Sequence, residues 1–367
     1  MGLFSPRKKE ALITRIPADD IGTKPAPVRT EVPDAVIDTE LSRQAEEADV
    51  VERVERAFVE EPAAVTPAPE PESAPAPAPE PEEPDLYGPI GADGKLRTYR
   101  DKLPVTRVVG QTKVVCVLNQ KGGVGKSTTA INLSAVLGDM GRQVLLVDLD
   151  PQGNSTSGLG IPKRLIQKST YDVLLNNKDG DPRYLEQVII PDVVKGVDVV
   201  PATLDLASAE LELVMEFSRE SRLKNALGAY LGKYDYMIID CPPSLGLLTV
   251  NALVAADKIL TPIQCEFYAL EGLTKLLETK DRVKKTINPR LDMLGIVMTM
   301  YSRTNLADQV VAEVRKHFGN LVFETVIPRN VKISEAPSFG LPVTQHAPNS
   351  KGAQAYVALA KEVIARG

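Results

Sequence analysis

Short runs of β-branched and aliphatic residues punctuate the chain from residue 113 onward. They fall at 113–118 (Lys-Val-Val-Cys-Val-Leu), 144–147, 197–200, 236–239, 259–263, 293–300 and 322–327. Each is continuous rather than alternating, the pattern of a strand buried on both faces. Between them, apolar residues recur at helical spacing over 127–140, 222–231, 270–287 and 306–317. This alternation predicts an α/β fold: a doubly wound, mostly parallel sheet of about seven to eight strands with helices on both faces. Ligands of such sheets sit at the carboxyl ends of the strands. There is no internal repeat.

The pattern stops short of the amino-terminal third. Residues 60–85 are mostly Pro, Ala and Glu, as in Pro67-Ala68-Pro69-Glu70-Pro71-Glu72, and no Lys or Arg lies between Ala57 and Gly94. Proline blocks helix and sheet ladders and like charges repel, so this stretch reads as an extended, solvated linker. Ahead of it Leu41, Ala45, Ala48, Val51, Val54 and Phe58 recur at helical spacing within residues 40–61. The expected organisation is a disordered extension over 1–107 with a short helix at 40–61, then one globular domain over 108–367. The short helix is either transient or a docking element held at a distance by the linker, for a polar or cell-division partner.

The first strand runs into Asn119-Gln120-Lys121-Gly122-Gly123-Val124-Gly125-Lys126-Ser127-Thr128, and a helix opens directly after it. Glycines let the backbone curl so that several N–H groups face phosphate oxygens, and the helix N-terminus adds its positive end. Lys126 is placed to reach the β- and γ-phosphates, and the Ser127 hydroxyl to ligate Mg²⁺. A flexible turn explains glycines alone but not Gly-Lys-Ser-Thr at the mouth of a strand. The usual loop begins with Gly; here that position is Lys121. The extra lysine either touches a phosphate in its own site or reaches into a partner's.

Carboxylates close two further strands. Asp148 and Asp150 follow 144–147, and alternate residues of a strand face one side, so the two can converge on one site. Asp240 ends the run 236–239, a usual place for support of Mg²⁺. A lone Asp after a strand is commonly a cap or turn residue; three beside a phosphate loop point to hydrolysis.

Taken together, Lys121-Gly-Gly-Val-Gly-Lys-Ser-Thr128, Asp148-Leu-Asp-Pro-Gln-Gly-Asn154, Ile239-Asp-Cys-Pro-Pro-Ser244, and Val326-Ile-Pro-Arg-Asn330 with Ser334-Glu-Ala-Pro337 resemble the ParA (Soj) family of chromosome-partitioning ATPases. The resemblance covers about residues 113–367. Short members of that family begin near the first strand, so the extension is an addition. The resemblance implies a P-loop NTPase with a deviant Walker A loop and ATP sandwiched between two subunits. Lys121 would cross to the partner's ATP, with Lys126 and Asp150 as the other catalytic residues and Asp150 positioning the attacking water. Ser127 would ligate the metal, supported by Asp148 and Asp240. The nucleotide would contact Lys121, Gly122, Gly123, Val124, Gly125, Lys126, Ser127 and Thr128, with Pro151 and Gln152, while Pro328, Arg329 and Asn330 hold the adenine. Intrinsic hydrolysis would be slow, because no strong transition-state cation is supplied. In the family a ParB centromere-binding partner speeds it through a short basic segment.

The net charge of -6 over 367 residues argues at first against nucleic acid, yet the acidic linker supplies much of it. Basic residues gather in the last third: Lys284, Lys285, Arg290, Arg303, Arg315, Lys316, Arg329 and Lys332. Composition alone is satisfied by a solvated face. By resemblance, Arg303 and Lys332 fall where the family holds DNA phosphates; a lysine at 332 keeps charge but loses the bidentate fork. Such binding to double-stranded DNA would be non-specific and salt-sensitive, and pairing two weak patches in an ATP-driven homodimer would switch it on.

Two neighbouring classes fit less well. A membrane-positioning ATPase resembling MinD would end in a basic amphipathic helix, whereas residues 356–367 are small, mildly apolar and poor in bulky anchors. An electron-transfer ATPase resembling the nitrogenase iron protein needs thiolates at a subunit face, and the three cysteines, Cys116, Cys241 and Cys265, are scattered within or beside apolar runs. Their sparse, odd count also fits a reducing compartment. With no secretory signal and no apolar stretch long enough to span a bilayer, the expected location is the cytoplasm; the resemblance implies the nucleoid, and a polar partner of the extension would add the cell poles.

Overall fold

The computed structural model describes residues 87–102, 110–176, 181, 183–266 and 271–366. The helix expected at 40–61 and most of the expected extension lie outside the described residues. From residue 113 the chain alternates strand and helix. The strands are β1 (Lys113–Val117), β2 (Val144–Asp148), β3 (Ile190–Val194), β4 (Val197–Val200), β5 (Tyr236–Asp240), β6 (Lys258–Gln264), β7 (Asp292–Tyr301) and β8 (Val322–Pro328). They form one sheet in the order β3-β4-β2-β5-β1-β6-β7-β8. Every pairing is parallel except β3 with β4, which is a short antiparallel edge. The expected doubly wound sheet is therefore present, with eight strands.

The helices are α1 (Lys126–Asp139), α2 (Asn154–Gly158), α3 (Thr170–Leu175), α4 (Leu206–Glu212), α5 (Arg222–Gly228), α6 (Leu247–Ala255), α7 (Glu271–Thr286), α8 (Asn305–Phe318), α9 (Val331–Glu335), α10 (Val343–His346) and α11 (Lys351–Arg366). Two cores result, one on each face of the sheet. Residues of α3 to α8 pack with Leu145, Val147, Met237 and Ile239 on one face. Residues of α1, α10 and α11 pack with Val115, Val117, Leu146 and Ile238 on the other. This is why the strand sequences run apolar without alternation: both of their faces are covered. On α11, Tyr356, Leu359, Ala360 and Val363 are buried, so the carboxyl-terminal helix serves the core. Among the described residues no helix is long and apolar enough to cross a membrane.

β1 lies between β5 and β6, so the chain leaves the centre of the sheet in both directions from its carboxyl end. That switch point opens the crevice in which a ligand binds. Helix α1 starts there and is held close to the sheet at its far end. Gly138 sits against the turn joining β3 to β4, where an added Cβ would meet the Lys195 carbonyl oxygen at 2.1 Å.

Residues 87–102, within the segment expected to be extension, have packed structure. Gly88 donates to the Asp192 carbonyl at 3.0 Å, and Ile90 bridges Leu96. A 3-10 turn at Tyr99–Asp101 is boxed by Thr98 and Asp101. Tyr99 meets Tyr230 edge-on at 6.3 Å. Lys102 then pairs with the fully buried Asp198 at 2.5 Å. The same carboxylate accepts from the Tyr234 hydroxyl at 2.6 Å and the Asp192 N–H at 3.0 Å. A buried charge needs such partners. This strap fastens over β3 and β4, so residues 87–102, ahead of the boundary expected at 108, pack on the domain.

Candidate nucleotide-binding site

The loop after β1 is pinned from two strands, β6 and β7. Asn119 donates to the Pro262 carbonyl of β6 at 2.8 Å and accepts from the Lys121 N–H at 3.0 Å. Gln264, at the end of β6, donates to the Gly123 carbonyl at 3.0 Å. Thr299 of β7 donates to the Val124 carbonyl at 2.9 Å. These bonds occupy carbonyl oxygens, which turns the loop's N–H groups toward its concave side. Gly123 and Gly125 have φ of 74° and 89°, the left-handed region that only glycine enters without strain. No side chain caps α1. The N–H groups of its first turn have no partner within the helix, and with the helix dipole they form an anion site.

Lys126 opens α1 and is buried. Its ammonium donates back to the Lys121 carbonyl at 3.2 Å. Burial pushes its pKa down, opposed by the carboxylates of Asp240 and Asp150. The ammonium is thus stored over the loop and attracted to the acid cluster, where a phosphate would complete its neutralisation. Lys121 is different. Its side chain is exposed and reaches away to Glu266, at 2.6 Å. It does not bend over its own loop.

Asp148 and Asp240 stand opposite each other on the adjacent strands β2 and β5. Both are fully buried. Burial raises the pKa of each; the charge of Asp150 adds to the rise at Asp148, and that of Asp148 to the rise at Asp240. Their hydrogen bonds separate their roles. One oxygen of Asp148 accepts from the Thr156 N–H at 2.8 Å and hydroxyl at 2.7 Å, and the other from the Asp150 N–H at 3.2 Å. Its carboxylate is consumed in holding α2 and the aspartate loop. Asp240 accepts from the Ser155 hydroxyl at 2.7 Å, and the Ser127 hydroxyl also lowers its pKa. Its Oδ1 is buried with no hydrogen-bond partner among the described residues. A buried carboxylate oxygen left open beside the Ser127 hydroxyl suits a hydrated Mg²⁺, which binds through one or two protein oxygens and keeps its waters. Asp150 is also buried, and its Oδ1 accepts from the Gln152 N–H at 2.9 Å, fixing residues 150–152 as a tight turn.

On the far side of the loop, a cavity of about 470 Å³ is lined by Gly125 and Thr128, by Thr299 and Met300, and by Pro328, Arg329 and Asn330. That volume is in the range of small-molecule pockets. It joins the phosphate loop to the residues expected at the adenine. Asn330 caps α9 through the Lys332 N–H at 2.8 Å, which fixes the turn after β8. The structure therefore brings the loop, Asp148, Asp150, Asp240 and 328–330 to one end of the sheet.

Arg303 and Lys332 are exposed and follow β7 and β8, neighbouring strands that end at the same side. Lys332 pairs with Glu335 at 2.9 Å. Of the other basic residues of the last third, Arg329 lies beside them, directly after β8, with its N–H donated to the Tyr301 carbonyl at 2.9 Å. Lys284 and Arg290 sit toward the opposite strand ends and pair with Asp292 and Asp257. Cys116 and Cys241 are buried, Cys265 is half-buried, and burial pushes the Cys241 thiol up.

Sequence reasoning missed Asn119, Ser155, Thr156, Gln264 and Thr299. Gln264 and Thr299 are polar residues at the carboxyl ends of apolar strands, the available signal. Ser155 and Thr156 sit just beyond the aspartate motif and carried none.

Residues 112–293 match the AAA domain family. The sporulation initiation inhibitor protein Soj of Bacillus subtilis is 54% identical over 256 residues, 70% of this chain and 99% of that relative. The chromosome partitioning protein ParA of Myxococcus xanthus is 53% identical over 255 residues, 69% of this chain and 88% of that relative. Among solved structures, cobyrinic acid a,c-diamide synthase from Mycobacterium smegmatis, with bound ATP analogue and magnesium, superposes with a TM-score of 0.58 at 39% identity. That match covers 68% of this chain and 93% of the other.

Proposed function

The chain belongs to the ParA/Soj family of chromosome-partitioning ATPases, and from that membership we propose how it couples ATP to DNA. It is a P-loop ATPase acting in DNA partitioning, converting ATP and water to ADP and phosphate with Mg²⁺ as cofactor. In our reading ATP joins two subunits face to face. The resulting dimer binds double-stranded DNA without sequence preference, and slow hydrolysis, speeded by a ParB-type partner, releases it. The protein would then lie on the nucleoid.

Within one subunit the loop N–H groups hold the phosphates and Lys126 neutralises the β- and γ-phosphates. Ser127 and Asp240 would hold Mg²⁺, which when bound screens the phosphate charge. Asp148 acts through α2, as a positioning residue. Asp150 would orient the attacking water, with its turn fixed by Gln152. The nucleoside lies along 328–330.

The observation that carries the dimer reading is the direction of Lys121. Its side chain leaves the loop for an exposed pair with Glu266. An exposed pair of this kind is worth about 0–1 kcal/mol, so it is readily exchanged for a phosphate on a facing subunit. Replacing Lys121 with Ala should spare nucleotide binding by the monomer but abolish ATP-dependent dimerisation, DNA binding and stimulated turnover. Lys126→Ala should weaken nucleotide binding itself. Calorimetric titration of both variants with ATP, beside sedimentation, separates the two; equal loss of monomer binding would remove the cross-subunit role.

A further inference from the structure

Lys332, one of the two cations on which the DNA reading relies, is already engaged within its own subunit. Its ammonium lies 2.9 Å from Glu335 Oε2, three residues on along α9. The same oxygen has a second basic neighbour. His346, the last residue of α10, brings Nε2 to 3.6 Å from it. That separation is too long for a hydrogen bond, and Nε2 is buried with no hydrogen-bond partner among the described residues. A buried polar atom without a partner is uncommon and costs free energy. The ring is held where it is. Phe339 stacks on it, with centroids 4.6 Å apart and planes at 26°, and the His346 side chain is only 14% exposed. Lys332 and Glu335 are 53% and 41% exposed, so they move more readily than the imidazole.

Histidine is the side chain whose charge ordinarily changes between about pH 5 and 8. With the imidazole neutral, Lys332 and Glu335 cancel, and a DNA phosphate competes with the carboxylate for the ammonium. A protonated imidazole turns Nε2–H into a donor facing Glu335, and closing the gap supplies the missing partner. Phe339 offers its ring face to the new cation. Glu335 then answers two cations, and the trio gains a positive charge where DNA would lie. Nothing else nearby absorbs that charge. Helices α1, α9 and α11 and the 3-10 turn Ala336–Phe339 pack against α10. From α9 the charged groups are Lys332 and Glu335, and the turn has none. On α11, Tyr356 faces Thr129, Glu362 holds Thr325, Arg366 holds the Val322 carbonyl, and Lys351 and Lys361 are exposed. On α1, Lys126 donates to the Lys121 carbonyl and Asp139 lies at the far end. Glu335 is the one carboxylate within pairing distance of His346 among the described residues. We propose that His346 is a proton-operated release for Lys332, so that DNA binding tightens as pH falls through the range in which the histidine becomes charged. This deepens the proposed function and rests on its DNA reading of Lys332.

The chain has two histidines, and the other, His317, pairs with Glu313 on α8. A pH profile is therefore assignable. The full chain, with Mg²⁺ and a non-hydrolysable ATP analogue, is titrated into a labelled mixed-sequence duplex at fixed salt and followed by fluorescence anisotropy. Affinity should rise at least threefold from pH 8 to pH 6. His317→Gln should keep the rise, and His346→Gln should lose most of it. Glu335→Gln should bind at both pH values at least as tightly as wild type at pH 6. ATP turnover without DNA should be unchanged in His346→Gln and Glu335→Gln. Burial also raises the Asp148 and Asp240 carboxyls, so sedimentation at each pH fixes the dimer fraction. The full rise persisting in His346→Gln, or Glu335→Gln binding no more tightly than wild type at pH 8, would overturn the proposal. Either result leaves the DNA reading standing if Lys332→Ala binds more weakly than wild type at pH 6. Equal binding by Lys332→Ala at that pH would remove Lys332 from the DNA contact and the release along with it.

Discussion

Asp148 and Asp240 look alike in sequence, each an aspartate closing an apolar strand, and the structure makes them different. The difference comes from Ser155 and Thr156, which reach back from α2 to the two carboxylates. Spacing shows that both aspartates stand at strand ends; it does not show which oxygens are already taken. Asp148 is satisfied by protein donors, while Asp240 keeps one oxygen open. Asp240→Asn tests this assignment with stability and activity moving in opposite directions. Burial and the charge of Asp148 raise the Asp240 pKa above that of the unfolded chain. A carboxyl raised in this way favours folding fully only below the unfolded value, about 4. Its contribution is lost as pH rises through the folded value, because the unfolded chain ionises first. The amide carries no such penalty. In metal-free protein the variant should therefore gain on wild type from about pH 4 upward, by on the order of 2 kcal/mol at neutral pH. Its ATP turnover with Mg²⁺ should fall at least a hundredfold. Urea titrations across pH, beside a phosphate-release assay, read both; a variant that loses stability at neutral pH would mean that Asp240 is structural.

Elements were legible where their periodicity was unbroken. The seven apolar runs are all strands, and the phosphate loop sits between β1 and α1 as its spacing predicts. β3 was not legible: Pro191 and Asp192 interrupt Ile190–Val194, which is tolerated because the strand is an edge paired on one side. α6 was missed for the opposite reason, being apolar over most of its length. The strap at 87–102 has no periodicity at all. Its hold depends on Lys102 and Asp198, 96 residues apart, a pairing that no local pattern announces. That pair also makes the element testable. Removing one member of a buried ion pair strands the other, at a cost of about 3 kcal/mol. Lys102→Ala should therefore lower the unfolding free energy by about that amount, and Lys102→Met with Asp198→Asn should restore part of it, because the amide oxygen can still accept from the Tyr234 hydroxyl. Chemical denaturation followed by circular dichroism decides the matter. Equal stability of Lys102→Ala and wild type would show that the strap contributes nothing to the domain.

At the scale of the whole molecule, the overall charge and the proposed DNA activity have to be reconciled. Net charge over a chain predicts solubility and long-range steering, but a backbone contact needs only local cations. Arg303 and Lys332 meet that condition, exposed after adjacent strands at the sheet end that carries the nucleotide site. Lys284 and Arg290, which composition groups with them, are turned elsewhere and paired with Asp292 and Asp257. A site of two cations per subunit is weak alone, and joining two such sites raises the effective affinity without new contacts. Under the proposed function this would make DNA binding conditional on ATP and fix its salt dependence. Each phosphate neutralised contributes about -0.9 to the slope of log K against log salt. A dimer loses one contact per subunit in Arg303→Ala, so the slope should flatten by about two, with the same change for Lys332→Ala. Charge reversal at both positions should abolish DNA retention while leaving ATP-driven dimerisation intact. Filter binding over a salt series with ATP, and sedimentation of the same variants without DNA, measure the two effects independently. If the slope is unchanged in both single variants, the DNA lies on another surface. If dimerisation is lost along with DNA binding, the two residues act through the subunit interface instead.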